Sequence, residues 1–302
     1  MSLRAVRILP TLLQAQRCFL QNTLSNYRHA QTTSNTTYTA TPKATSNEKA
    51  FNASTQKEID HHAALSAAWW DLNGPLHGLH KLNEIRVPFV CNGLSAKGFN
   101  DTLSLKNKSE VLQGVNILEV GCGGGILTEA LARQNANVTG VDLGEDVILT
   151  AQQHLKEHSP ALIERITYKT ESIEEHAAKY TNHYDAVVCS EVLEHIDEKE
   201  AFLKDCVKAL KPGGSIFITT LNKTVRLWVK GIILGEYVFG VAPRNTHHWR
   251  KLIAPEDVKQ MLTALNCQTI ALNGFAYDVF QKRWRWIDTT KMSYALHATK
   301  AV

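Results

Sequence analysis

Two sets of residues carry chemistry at fixed spacing. The first is Glu119-x-Gly121-x-Gly123-x-Gly125, followed 21 positions beyond Gly121 by Asp142. Ile117, Leu118 and Val120 form a short apolar run, as in a strand covered on both faces. Glycines let the backbone turn tightly and let a ligand approach where a Cβ would clash. A dinucleotide fingerprint requires G-x-G-x-x-G. Gly121 and Gly123 meet its first two positions, but the third is Ile126, which argues against a nicotinamide oxidoreductase. Asp142 ends the next predicted strand, where an acid accepts hydrogen bonds from ribose hydroxyls. The segment therefore reads as a nucleoside site. The plainer alternative is a tight strand-to-helix turn. Glu119 is open between a part in that site and a merely structural role as a capping acid or a loop-fixing group, and Cys122 reads as a small residue that fits the turn.

The second set is Glu191, Glu194 and His195, after the apolar run 186–189. Their i, i+3, i+4 spacing puts them on one face if the segment is helical. Two carboxylates and an imidazole at the carboxyl end of a strand suit a divalent cation, and oxygen-rich ligation favours Mg²⁺ over Zn²⁺. Alternatively, His195 acts alone as a general base. A third reading is a solvated acidic helix start with a packing histidine.

These residues need elements to hold them, and the hydrophobic rhythm supplies them. Strands are predicted at 116–120, 137–141, 166–168, 184–189 and 215–221. Helices are predicted at 126–134, 145–158, 173–180 and 198–210, with a turn at 211–214. This βαβ alternation implies an α/β fold with a mostly parallel sheet and helices on both faces. Ligands in such sheets bind at the carboxyl ends of the strands. Ahead of it, 57–70 reads as an amphipathic helix, 79–89 as a second helical stretch broken near Pro88, and 98–109 as a polar linker. Residues 222–249 break the rhythm. They are rich in Leu, Ile, Val, Trp and Tyr, with Lys223, Arg226 and Lys230 on a basic flank. This insertion reads as a lid, a membrane-interface segment or an ordinary buried helix.

The chain has 302 residues, 44% of them apolar, as expected for one large α/β domain with appendages. Its first 47 residues differ. They hold Arg4, Arg7, Arg17, Arg28 and Lys43 but no acid, and leucines recur at helical spacing beside the arginines. That is the signature of a mitochondrial transit peptide, with a disordered basic tail as the alternative. These five basic residues account for the formal charge of +4, so the remainder has no positive field to favour nucleic acid as a partner. The six cysteines are scattered without a CxxC pair, which fits a reducing compartment.

The Glu-x-Gly-x-Gly-x-Gly pattern resembles motif I of the class I S-adenosylmethionine (SAM) methyltransferases. Trp69-Trp-Asp-Leu72, Leu79-His-Lys-Leu-Asn-Glu-Ile-Arg86, Glu174-Glu-His-Ala-Ala-Lys179, Glu191-Val-Leu-Glu-His195, Lys211-Pro-Gly-Gly214 and Thr220-Leu-Asn222 occur in order around it. Together they resemble the ubiquinone-biosynthesis O-methyltransferases over about residues 60–298. The glycine motif and the Lys-Pro-Gly-Gly turn are generic to the superfamily, and the other blocks are more specific. The resemblance implies a Rossmann-like fold in three parts: a leader at 1–47, a helical extension at 48–110 and a methyltransferase domain at 111–302. It implies SAM-dependent O-methylation of a polyprenyl dihydroxybenzoate and of a demethylubiquinol. SAM contacts are implied at Arg86, Gly121, Asp142 and Ser190, with Gly123 and Gly125 completing the motif, and Mg²⁺ at Glu191, Glu194 and His195. Ser190 is expected to act through its backbone or packing. Arg86 also suits the SAM carboxylate as a cation, with a surface charge as the alternative. Glu194 and His195 are the implied catalytic residues. The family further implies peripheral attachment to the matrix side of the mitochondrial inner membrane, within a multi-enzyme ubiquinone assembly. The alternatives are another small phenol as acceptor, or a SAM-binding assembly subunit without turnover.

Overall fold

In the computed structural model, residue 56 and residues 66–95, 112–224, 251–278 and 280–302 are described. The leader 1–47, most of the first predicted helix, the linker 98–109 and nearly all of the insertion lie outside them.

The alternation of strand and helix forms as the sequence predicts. β1 (Asn116–Val120), β2 (Asn137–Asp142), β3 (Ile166–Thr170), β4 (Tyr184–Ser190) and β5 (Leu210–Leu221) are all parallel. β5 begins earlier than predicted and absorbs the Lys-Pro-Gly-Gly turn through a register shift opposite Tyr184 and Ala186. Three strands follow that the alternation does not announce: β6 (Cys267–Asp278), β7 (Arg283–Ile287) and β8 (Ser293–Lys300). β8 inserts antiparallel between β5 and β6, and β7 closes the edge. The strand order is β3-β2-β1-β4-β5-β8-β6-β7.

Helices cover both faces. On one, α1 (His77–Ser95), α2 (Ile126–Ala132) and α3 (Glu145–His158) pack a core around Leu82, Leu94, Ile117, Leu131, Val138 and Phe217. On the other, α4 (Ile173–Lys179), α5 (Lys199–Ala209) and α6 (Pro255–Ala264) pack around Leu118, Val187, Leu203, Ile216 and Tyr294. The two clusters make a three-layer α/β sandwich.

α1 corrects an expectation. Pro88 was expected to break this helix, yet α1 runs from His77 to Ser95 with Pro88 inside it. Proline removes a backbone donor and crowds the preceding turn, at a cost of about 3 kcal/mol. Leu82, Ile85, Phe89, Val90 and Leu94 are buried on both sides of it. Burying one such side chain returns about 1.5–3 kcal/mol, so the packing outweighs the break. The five described cysteines are buried and form no disulfide with one another. No helix among the described residues is long and apolar enough to cross a membrane.

Candidate functional site

The strand order reverses between β1 and β4, and ligands of open α/β sheets sit at that crevice. The glycine turn leaves β1 there. The amides of Gly121 and Cys122 both donate to the Val141 carbonyl, at 2.8 and 3.1 Å, tying the turn to β2. Gly121, Gly123 and Gly125 have φ of 73°, 51° and 87°, a region that disfavours side chains. Their missing side chains serve a purpose the sequence does not disclose. A Cβ at Gly121 would lie 2.5 Å from Val192, one at Gly123 2.3 Å from the Trp69 indole, and one at Gly125 2.2 Å from the Tyr168 hydroxyl. The protein's own side chains fill those spaces.

Asp142 is held by its surroundings. Its Oδ2 accepts from the Gly123 amide and its Oδ1 from the Gly144 amide, both at 2.9 Å. Burial pushes its pKa above the ordinary carboxylate value, and these amides, with that of Leu143, pull it back down. Each oxygen has lone pairs beyond these bonds, so the group can accept from two ribose hydroxyls. Glu119 is 3% exposed beneath the turn and accepts from the Thr128 hydroxyl. Burial raises its pKa to about 7, opposed by the Thr128 bond and the Arg86 charge. The Thr128 bond ties Glu119 to the start of α2, as a loop-fixing group would be tied.

Arg86 is not a surface charge. It is 5% exposed, and burial lowers its pKa to about 10, opposed by the charges of Glu119 and Glu191. Its Nε donates to Asn83 Oδ1 at 2.6 Å, its Nη2 to the Leu79 carbonyl at 3.2 Å, and its Nη1 to Ser190 Oγ at 3.0 Å. Asn83 in turn donates to the Ile126 carbonyl at 3.0 Å, where α2 begins. The i, i+3 spacing of Asn83 and Arg86 on α1 was the signal for this pair. Ser190 joins this network. Its side chain is engaged, linking Arg86 to the Thr219 hydroxyl at 2.7 Å.

Beyond Ser190 the chain turns sharply. Glu191 has φ 58°, and its amide donates to the Thr219 carbonyl at 2.8 Å. Leu193–His195 is a single 3₁₀ turn, not the α-helix that the i, i+3, i+4 argument required. Glu194 is 1% exposed and its Oε2 accepts from the Thr220 hydroxyl at 2.6 Å. Burial raises its pKa well above the usual carboxylate range, and the Glu191 charge raises it further. Oε1 of Glu191 and Oε1 of Glu194 are buried without a hydrogen-bond partner among the described residues.

Glu191 and Glu194 are thus brought together, but His195 does not complete a triad. Among the described residues no three His, Cys, Asp or Glu side chains form a metal-holding cluster. The reason is geometric: at three residues per turn, positions i and i+4 fall about 120° apart, against about 40° in an α-helix, and Glu191 stands before the turn with φ 58°. The donor set present, two carboxylates with unpaired oxygens, fits an oxygen-seeking divalent cation. His195 is half-buried on the same turn, and its carbonyl accepts from Lys251 Nζ at 3.2 Å.

Comparison with known proteins agrees with this geometry. Residues 118–216 match the model of a methyltransferase domain family. Magnesium protoporphyrin IX methyltransferase from Synechocystis, solved with bound SAH, superposes with a TM-score of 0.55 at 21% identity. That match covers 82% of this chain and all of that one, and it shows the shared fold. Fold, glycine turn and match together define a class I SAM-dependent methyltransferase. The chain is 41% identical over 81% of its length to the mitochondrial ubiquinone biosynthesis O-methyltransferase of Rattus norvegicus, covering 69% of that protein. It is 40% identical to the mitochondrial enzyme of Homo sapiens, spanning 64% of it, and 35% identical to the ubiquinone biosynthesis O-methyltransferase of Xanthomonas oryzae, spanning 94% of it. The chain belongs to the ubiquinone biosynthesis O-methyltransferase family.

Proposed function

We propose that this chain transfers the SAM methyl group to a phenolic hydroxyl of polyprenylated catechol precursors of ubiquinone, a dihydroxybenzoate and a demethylubiquinol. The observation that carries this reading is buried Glu194 beside half-buried Glu191, each with one buried carboxylate oxygen that accepts no hydrogen bond among the described residues, next to the cofactor crevice. Asp142 would accept from the ribose hydroxyls, the turn at Gly121, Gly123 and Gly125 would border the nucleoside, and Arg86 with Ser190 would face the SAM carboxylate. Arg86 has N–H donors beyond its three bonds described above.

Glu191 and Glu194 would hold Mg²⁺. A catechol hydroxyl ionises near pH 10 in water, and a bound cation stabilises its oxyanion at neutral pH. His195, on the same turn, takes the hydroxyl proton. The oxyanion attacks the methyl carbon as the carbon–sulfur bond breaks, and the electron pair leaves on sulfur as S-adenosylhomocysteine. The protein's task is positioning and charge stabilisation, with no covalent intermediate. The acid-free arginine leader and the mitochondrial relatives support a mitochondrial location. Peripheral attachment to the matrix face of the inner membrane through 222–249, and membership of a multi-enzyme assembly, suit a substrate with an isoprenoid tail.

The test is methyl transfer from labelled SAM to a short-chain demethylubiquinol analogue by the full chain, after chelation and with Mg²⁺ restored. Product that returns with Mg²⁺ is expected. Full activity after chelation would remove the cation from the reading. SAM binding without any product would move the function to another acceptor or to an assembly role.

A further inference from the structure

The match to the methyltransferase-domain model begins at residue 118, within β1, well after the segment that carries Trp69 and Trp70. Both tryptophans nevertheless sit on the cofactor loops. Trp69 follows a short 3₁₀ turn, Ser66–Ala68, and is 6% exposed. Its ring lies over Gly123 and Gly124, where a Cβ on either glycine would approach it to 2.3 Å. It also clusters with Ile126, the first residue of α2, and with Val147, in the first turn of α3. Trp69 therefore wedges between the loop that leaves β1 and the loop that leaves β2 through Asp142 and Gly144. The Trp69 carbonyl meets His80 Nε2 at 2.9 Å, which fixes the backbone of the wedge to α1.

Trp70 grips the same loop from outside. Its Nε1 donates to the Gly124 carbonyl at 3.0 Å. Its ring stacks on His154 of α3, centroids 3.4 Å apart and 1° from coplanar. His154 Nδ1 meets the buried carboxylate of Glu129 on α2 at 2.7 Å, and Glu129 also accepts from Ser159 at 2.6 Å and Arg133 at 2.8 Å. The grip is thus anchored on both helices that start at the cofactor loops. Neither contact is needed to bury the main core, which belongs to other residues.

We infer that Trp69 and Trp70 are positioning residues for SAM: they set the glycine turn against the Asp142 loop, and the segment before the methyltransferase domain is part of the cofactor site. The mechanism is preorganisation. A loop with three residues at positive φ is held in one shape before the ligand arrives, so less order is lost on binding. The inference rests on SAM binding at this turn.

The test uses the full chain with Trp70→Ala, Trp70→Phe and Trp69→Phe, titrated with SAM and with S-adenosylhomocysteine by calorimetry. Circular dichroism and thermal midpoints are read alongside. Trp70→Phe keeps a ring on His154 and loses the donor to Gly124. One net hydrogen bond corresponds to about a 2- to 10-fold weaker affinity for both ligands. Trp70→Ala loses the stack as well and weakens binding further. The KM for SAM rises in parallel, and the KM for the quinol analogue does not move. A lowered thermal midpoint with unchanged SAM affinity would mean a merely structural role and overturn the inference. Should Trp70→Ala fail to fold, Trp70→Phe decides: weaker binding supports the inference and unchanged binding overturns it. Absence of SAM binding by the unaltered chain would refute the cofactor reading itself. Unaltered affinity in the variants refutes this inference alone.

Discussion

Replacing Asp142 with Asn separates the charge of this residue from its shape. In the folded chain each carboxylate oxygen accepts one main-chain amide at 2.9 Å, from Gly123 and from Gly144. An asparagine presents only one oxygen, so one of these amides faces an NH₂ group. Hydrogen bonds to a charged acceptor contribute about 1.5–3 kcal/mol, against about 0.5–1.5 kcal/mol for neutral pairs. Two ribose hydroxyls donating to a neutral amide in place of a carboxylate thus lose about 2–3 kcal/mol together, since one oxygen no longer accepts at all. That corresponds to SAM binding weakened about 30- to 150-fold. The fold is weakened as well, by about 1–3 kcal/mol, because Gly123 and Gly144 are both buried and one of their amides loses its acceptor. Calorimetric titration with SAM, beside thermal unfolding of the same sample, measures both. A folded Asp142→Asn variant that binds SAM within twofold of the unaltered chain would refute the ribose assignment. Asp142→Ala should bind SAM still more weakly, because it removes both acceptors.

Two further outcomes follow from the buried acids. Glu194→Gln keeps an acceptor for the Thr220 hydroxyl and removes a charge that burial and Glu191 disfavour. Turnover should fall at least about 100-fold while SAM affinity stays within twofold and thermal stability does not drop; Mg²⁺ activation measured against SAM titration checks this. Glu119 titrates near 7 in the folded chain, above the ordinary glutamate value of 4.5. The folded state therefore holds the proton more tightly than the unfolded state. This group's contribution favours folding below about pH 4.5 and declines as pH rises toward 7, by an amount on the order of 3 kcal/mol. Glu119→Gln should flatten that decline and be more stable than the unaltered chain at pH 8, read from denaturant midpoints at pH 5, 6, 7 and 8. An unchanged slope would refute the assignment.

The βαβ half of the fold was legible because its signals are local. A buried strand announces itself as an apolar run, a helix as a periodic one, and β1 to β5 fall close to their predicted spans. The antiparallel strands β6 to β8 were not legible. Their pairing is set by partners up to some eighty positions away, such as Ser215 with Thr299, and local pattern carries no record of that. Pro88 shows the same limit from the other side, a strong local signal overruled by the packing of Leu82, Phe89 and Leu94.

At the site, sequence by itself determined which residues could do chemistry: the glycine turn, Asp142, Arg86 and the acids after β4. These depend on residue type and on spacing along one strand or helix. Tertiary structure decided how they are used. It buried Arg86 against Ser190 and Asn83 and turned Glu194 toward Glu191. It set His195 apart on a 3₁₀ turn and filled the space above Gly123 with Trp69. Each of these depends on what another segment places opposite. A sequence read along one chain direction specifies the donors and acceptors, and only the folded neighbours specify whether their charges are paired, buried or left open to a ligand.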